Sequence, residues 1–203
     1  MLCRQKPKQP PTGKKIESNV KNAMLKCSEL LVRRLTLGDA LDYHALRLRA
    51  FRDHPQAFTS SHEEEVCKPL SQAQERLAPN SPAKFWGAFV LDPLLPGGRL
   101  VGSVGLDREQ RLKTRHKAVV LGMFVAAEQA RRGLGRRLLD ALLAEARASD
   151  LELLVLTVTC GNQAAERLYL EAGFTSYGIE PGAIKIVHRR FDKNHMFLQL
   201  RDR

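Results

Sequence analysis

The sequence predicts a mixed α/β fold, with one sheet of six to seven strands carrying helices on both faces, and three observations predict it. The stretch Val119–Gly135, VVLGMFVAAEQARRGLG, passes without a break into Arg136–Ala148, RRLLDALLAEARA, so a strand leads through a glycine-bearing loop into an apolar-striped helix. Upstream, Lys84–Leu91, Arg99–Leu106 and Lys117–Val125 alternate well enough to be three antiparallel strands joined by short turns. Downstream, Leu153–Phe174, LLVLTVTCGNQAAERLYLEAGF, sets a β-branched run before Asn162 and a short helical pattern closed by Gly173.

Taken in order, Leu30–Leu35 reads as the first strand. Asp39–Arg52 follows as an amphipathic helix with Leu41, Ala45, Leu48 and Phe51 on one face. Glu63–Leu77 fits a second helix, and Pro93–Gly98 is the clearest turn among the three strands. After the helix at Arg136–Ala148 come a strand at Leu151–Thr159 and a helix at Gln163–Ala172. Strands near Phe174–Ile179 and Lys193–Leu200 finish the sheet, with Ala183–Val187 as a further candidate. Gly122 stands inside the fourth strand, where a glycine marks a bulge, a close backbone approach or plain packing.

The loop before the long helix carries the chemistry. A helix N-terminus holds about half a positive charge and several unpaired N–H groups, so Gly133 and Gly135 at such a start let an anion approach the main chain closely. Arg131, Arg132, Arg136 and Arg137 surround the turn with positive charge. Neither of two familiar phosphate motifs fits. No Lys-Ser or Lys-Thr follows Gly135, as a P-loop requires, and Leu138 stands where the dinucleotide fingerprint needs its third glycine. A pyrophosphate cradle of another kind is expected, against the plainer reading of a βα turn with solvated arginines.

Together the two blocks resemble the GNAT superfamily of acyl-CoA N-acyltransferases. The pyrophosphate loop of that family reads [QR]-x-x-G-x-[GA], and a later helix often reads N-x-x-A-x-x-x-Y-x-x-x-G-F. The second pattern is complete here in Asn162, Ala165, Tyr169, Gly173 and Phe174. In the first, Gly133 and Gly135 match but Ala130 holds the leading position, with Gln129 and Arg131 as the neighbours available to replace it. The resemblance extends over about residues 29–200, since the order of elements agrees as well.

The resemblance implies a GNAT-like, mostly antiparallel twisted sheet with a splayed central strand pair, and acetyl-CoA as cosubstrate. It implies that main-chain groups near Phe124 and Val125 pair the pantetheine arm in the cleft. Arg131, Arg132, Gly133, Leu134, Gly135 and Arg136 would hold the pyrophosphate, and Asn162 would contact the pantetheine, cap its helix or do both. Acyl transfer to an amine needs a neutral amine, a stabilised oxyanion and a protonated leaving thiol. Tyr169 is the candidate for protonating the thiol. The acceptor, an amine-bearing small molecule or peptide, would sit between segments at about residues 51–66 and 178–194. There Glu63, Glu64 and Glu65 could attract a cation or merely complement a helix dipole, and Arg189, Arg190 and Lys193 could attract an anion. Asp107, Glu109, His116, His188 and His195 are weak candidates for a base, none of them singled out, and Glu128 is expected beside the cradle as a solvated residue. Homodimers are frequent in such families.

Composition fits one catalytic domain at residues 28–203, with 203 residues in all and 43% hydrophobic. The formal charge is +11, but the first 27 residues hold seven Lys or Arg against one Glu, so much of the basicity belongs to a tail with three prolines. That tail is expected to be disordered or to be an extension upstream of a start at Met24. No apolar stretch suits a signal peptide or a membrane span, so a cytoplasmic protein is expected. Cys3, Cys27, Cys67 and Cys160 lack metal-site spacing, which argues for reduced thiols and no metal. Two other classes compete. A non-catalytic acyl-CoA-binding regulatory module would keep the cradle without turnover. Specific nucleic-acid binding is disfavoured by the absence of zinc-finger spacing and by only 6% aromatic residues.

Overall fold

The computed structural model describes residues 29–201. The expectations for the tail, for Met24 and for Cys3 and Cys27 lie outside the described residues. Among the described residues seven strands form one sheet: β1 (Leu30–Arg34), β2 (Ala83–Asp92), β3 (Leu95–Arg108), β4 (Lys117–Val125), β5 (Leu153–Thr159), β6 (Thr175–Ile186) and β7 (Arg189–Gln199). Their order is β1-β2-β3-β4-β5-β7-β6. Only β4 and β5 run parallel, and every other neighbouring pair is antiparallel. Parallel neighbours need a long crossover. Here the crossover is the helix α4 (Leu134–Ala148), which follows α1 (Ala40–Asp53), α2 (His62–Val66) and α3 (Leu70–Leu77) and precedes α5 (Gln163–Glu171).

The helices cover both faces of the sheet. On α4, Leu134, Leu138, Leu139, Leu142, Leu143 and Ala146 are buried, and each fully buried leucine contributes about 1.5–3 kcal/mol. Lys84 on β2 pairs with Glu145 of α4, whereas the neighbouring Phe85 packs its ring 5.1 Å from Tyr43 of α1. Successive strand residues point to opposite faces, so α1 and α4 lie on opposite sides of the sheet. The apolar face of α1 is not the one its leucines suggest. Tyr43, Leu46, Ala50 and Phe51 are buried, and Leu41 is 66% exposed. Tyr43 fills the core in place of Leu41 through a tilted ring contact with Phe85, an aromatic contact that the apolar count alone does not weigh.

Three more elements differ from the sequence reading. The helix expected over Glu63–Leu77 is two helices, because Pro69 cannot donate an N–H and drives the residue before it out of the helical region. At Asp92–Leu95 the turn closes early, and the positive-φ Gly97 and Gly98 belong to β3. The two strands expected on either side of Pro181 and Gly182 are one strand, β6. Register shifts at Ser176/Gly178 and Glu180/Ile184 absorb the interruption, and Gly182 N–H donates to Asp192 Oδ1 at 2.7 Å.

The feature that positions the site is the short seam between β4 and β5. Lys117, Ala118 and Val119 pair with Leu153, Leu154 and Val155, and there the pairing ends. On the other side of β4, Ser103 pairs with Phe124 and Gly105 with Leu121, which leaves a bulge at Gly122–Met123. Gly122 takes φ +63, and a Cβ there would meet nothing closer than Arg47 Nη1 at 4.0 Å. Conformation, not space, requires the glycine.

Candidate active site

Beyond Val119 and Val155 the two strands part, and two adjoining cavities open along the gap. The larger, about 810 Å³, runs from the β4 main chain at Phe124 and Val125 to the start of α4. Among the residues named from the sequence, Phe124, Val125, Arg131, Gly133, Leu134, Gly135, Arg136 and Asn162 line this groove. Arg132 does not; its Nη1 donates to Oε1 of the buried Gln129 at 2.6 Å. Gln129, the neighbour of the divergent Ala130, lines the groove itself.

The loop geometry follows from its glycine and arginine. Gly133 caps α4 at φ 72 with no side-chain hydrogen bond, and Arg131 also has positive φ, at 61. Left-handed residues alternating with ordinary ones turn consecutive N–H groups toward a common concavity. The N–H groups of Leu134, Gly135 and Arg136 have no carbonyl four residues back within the helix, and Arg137 is the first to bond, to Gly133 O at 3.1 Å. Arg136 Nε donates to Asp140 at 2.8 Å and Arg137 Nη2 to Leu30 O at 2.9 Å, so these two guanidiniums are partly committed. Arg131 has no such partner among the described residues.

The smaller cavity, about 380 Å³, meets the groove at Phe58, Met123, Asn162 and Ala165. Tyr169 lines it from α5. The residue is 6% exposed, its ring stands edge-on to Phe174 at 5.7 Å, and burial raises the phenol pKa, so the hydroxyl stays protonated. Asn162 caps α5 by accepting from Ala165 N–H at 3.2 Å, which leaves it at the junction of both cavities.

The segments expected to build the acceptor site contribute Ala57, Phe58, Thr59 and Lys193 to this cavity, and Tyr177 and His195 join them. His195 Nε2 lies 2.9 Å from Glu180 Oε2 and the ring packs 5.8 Å from Tyr177. Of the weak base candidates, His195 alone reaches either cavity. Glu128 is bound by Arg49 at 2.7 and 2.6 Å, which holds its carboxyl at about 2. Glu63–Glu65 open α2 in the structural role. Glu64 accepts from Ser61 N–H at 2.8 Å in a capping box, and the buried Glu65 is bonded by Arg47 at 3.2 Å and by Lys68.

Lys193 and His195 were the least legible of these residues. Residues 189–195 read RRFDKNH, with no alternation to announce a buried face. The signal lies in the register: Lys193 pairs with Thr159 and His195 with Thr157, two steps apart on one side of β7. Cys160 lines the groove, but burial, reinforced by Glu166 and Asp192, pushes its thiol up, away from the reactive thiolate. Among the described residues no group of three or more His, Cys, Asp or Glu gathers to hold a metal, and no helix is long and apolar enough to cross a membrane.

A mostly antiparallel sheet split at one parallel pair, with an anion-ready helix start beside the split, is the architecture of acyl-CoA-dependent N-acyltransferases. The chain belongs to the acetyltransferase (GNAT) family, whose model matches residues 46–174. Among solved structures it is similar to an acetyltransferase of the GNAT family from Streptococcus pneumoniae, at 25% identity and TM-score 0.72, covering 84% of this chain and 99% of that one. It is also similar to yncA from Salmonella typhimurium with its cofactor acetyl-CoA, at 20% identity and TM-score 0.70, covering 87% and 96%. Spermidine N-acetyltransferase from Vibrio cholerae, in complex with CoA and spermine, shares the fold at 20% identity and TM-score 0.66, covering 85% and 96%.

Proposed function

We propose that the protein is an N-acetyltransferase that moves the acetyl group of acetyl-CoA directly to a primary amine. The observation that carries this is the meeting of two cavities at the β4–β5 split, with Tyr169 beside the junction. The residues present suit the cosubstrate: unpaired N–H groups and Arg131 at one end of the groove suit a pyrophosphate, and the unpaired edge of β4 at Phe124 and Val125 suits the amides of a pantetheine arm. Acetyl-CoA supplies the activated acetyl thioester.

The chain's own groups supply the rest. Arg131, Arg132, Gly133, Leu134, Gly135 and Arg136 form the pyrophosphate cradle, the first and third by geometry and Arg132 by keeping Gln129 in place. Tyr169, buried and protonated, is the donor to the departing sulfur. His195, oriented by Glu180, is the acceptor-side group able to take a proton from the amine. No Asp or Glu lines the smaller cavity among the described residues, so a polyamine would find no counter-charge there.

Calorimetric titration of the protein with acetyl-CoA, followed by an amine panel scored by free-thiol release, tests the reading. Micromolar binding with turnover supports it. Binding without transfer to any amine would leave a non-catalytic acyl-CoA-binding module, and absence of binding would overturn both.

A further inference from the structure

The smaller cavity holds a charge that the acyl-transfer reading does not use. Lys193 is 7% exposed on β7 and lines the cavity with Tyr169 and His195. It makes no hydrogen bond or ion pair among the described residues, and burial pulls its pKa down. Glu180, its cross-strand partner on β6, is the acid whose charge reaches it, but the Glu180 carboxylate is turned to His195 at 2.9 Å, and the adjacent Asp192 accepts from Gly182 N–H. Thr159, opposite Lys193 on β5, is also committed, donating its hydroxyl to Gln56 O at 2.7 Å. Since no carboxylate lines the cavity among the described residues, and Glu180 acts on Lys193 only at a distance, a buried ammonium is left facing the cavity with no counter-charge bonded to it. Such a group is costly unless something supplies the missing anion. Arg189 and Arg190 differ from it: both are exposed at the β6–β7 tip, and Arg189 lies over the Phe191 ring.

We propose that the acceptor is a small amine that also carries a carboxylate or phosphate, and that the Lys193 ammonium is the counter-charge that selects it. This rests on the acyltransferase reading for the role of the cavity, but not for the binding of the anion. A cavity of about 380 Å³ holds a metabolite of amino-acid size. A cationic second amine would face Lys193 with like charge.

The test reads binding, not turnover. The full-length protein saturated with CoA is titrated calorimetrically with N-acetyl amino acids, with the corresponding N-acetyl amino acid amides, and with N-acetyl-phosphoethanolamine. At least one anionic probe is expected to bind, its neutral amide about tenfold or more weaker, in line with a charge-assisted bond. The carboxylate and phosphate arms separate the two anions. Lys193→Met should erase the preference and Lys193→Arg should keep most of it, while both variants still bind CoA. Equal binding of acids and amides, binding of neither class, or a preference that survives Lys193→Met would overturn the proposal. The same titrations without CoA read the cavity alone, so failure of CoA to bind counts against the acyltransferase reading separately.

Discussion

The ring of Tyr169 meets that of Phe174 edge to face at 5.7 Å, although the two residues sit on opposite sides of the turn that ends α5. That contact, with Phe174 N–H donating to Tyr169 O at 3.0 Å, fixes where the phenol points. Tyr169→Phe keeps the ring contact and removes only the hydroxyl. It should lower kcat by about 10²- to 10⁴-fold while leaving the calorimetric affinity for acetyl-CoA unchanged. Because burial raises the phenol pKa, no alkaline loss of rate assignable to Tyr169 is expected below about pH 10. A variant of near-native rate would remove the residue from the mechanism.

Gly133 tests the cradle through the backbone. An Ala there must keep φ near +72, at a strain of about 1–2 kcal/mol, and its Cβ meets no protein atom within 4 Å because it projects into open space. Gly133→Ala should therefore lower thermal stability modestly and weaken acetyl-CoA binding. Gly135→Val, whose added atoms crowd Leu168 Cδ2 at 3.4 Å from the Cβ alone, should weaken it further. Titration of both variants alongside a melting curve separates the two effects.

Arg33 and Asp39 give the pH dependence of stability. Arg33 Nη1 and Nη2 donate to the Asp39 carboxylate at 2.8 and 2.7 Å, and Thr36 donates twice more, which brings the carboxyl pKa down to about 2. A depressed acid pKa stabilises the folded state above the unfolded value near 3.9 and loses that contribution as pH falls toward 2. With Arg33 partly exposed, the contribution is about 1–2 kcal/mol. Asp39→Asn should destabilise the protein at pH 7 and flatten its loss of stability between pH 4 and 2, as read by denaturant midpoints.

The triple glutamate offers a negative control. Glu63→Gln and Glu64→Gln should leave the KM for the acceptor unchanged, since Glu64 serves the Ser61 cap and Glu63 sits in the first turn of α2. Glu65→Gln should instead destabilise the fold by about 1–3 kcal/mol, leaving the largely buried Arg47 without its full counter-charge. A rise in acceptor KM for either of the first two would return them to the site.

Much of this was legible wherever a local rule acted alone. The strand, glycine loop and helix at Val119–Ala148 stood out in the sequence, though not that the helix makes β4 and β5 parallel, and of the readings open for Gly122 the bulge is the one found. Legibility failed where distant packing decided. Tyr43 displaced Leu41 from the core face of α1 because Phe85 waited on β2. Pro69 divided a run whose apolar spacing read as one helix, and Pro181 failed to divide β6 because bulges absorbed it. Lys193 was the hardest, since its burial comes from its cross-strand register and nothing in RRFDKNH marks one residue as interior.

The seam of three residue pairs between β4 and β5 has a mechanical meaning as well. Strands β1–β4 and strands β5–β7 are two slabs riveted at one end, and the wedge between them is held apart by whatever occupies it. A molecule that lays its amides along the open edge of β4 would act as mortar as much as reactant, completing a course of backbone hydrogen bonds that the chain begins and does not finish. Those amide protons of Val120–Val125 and Leu156–Thr159 that face the wedge, rather than β3 or β7, should then exchange faster in the empty protein than those along β2–β3, and slow together when the wedge is filled.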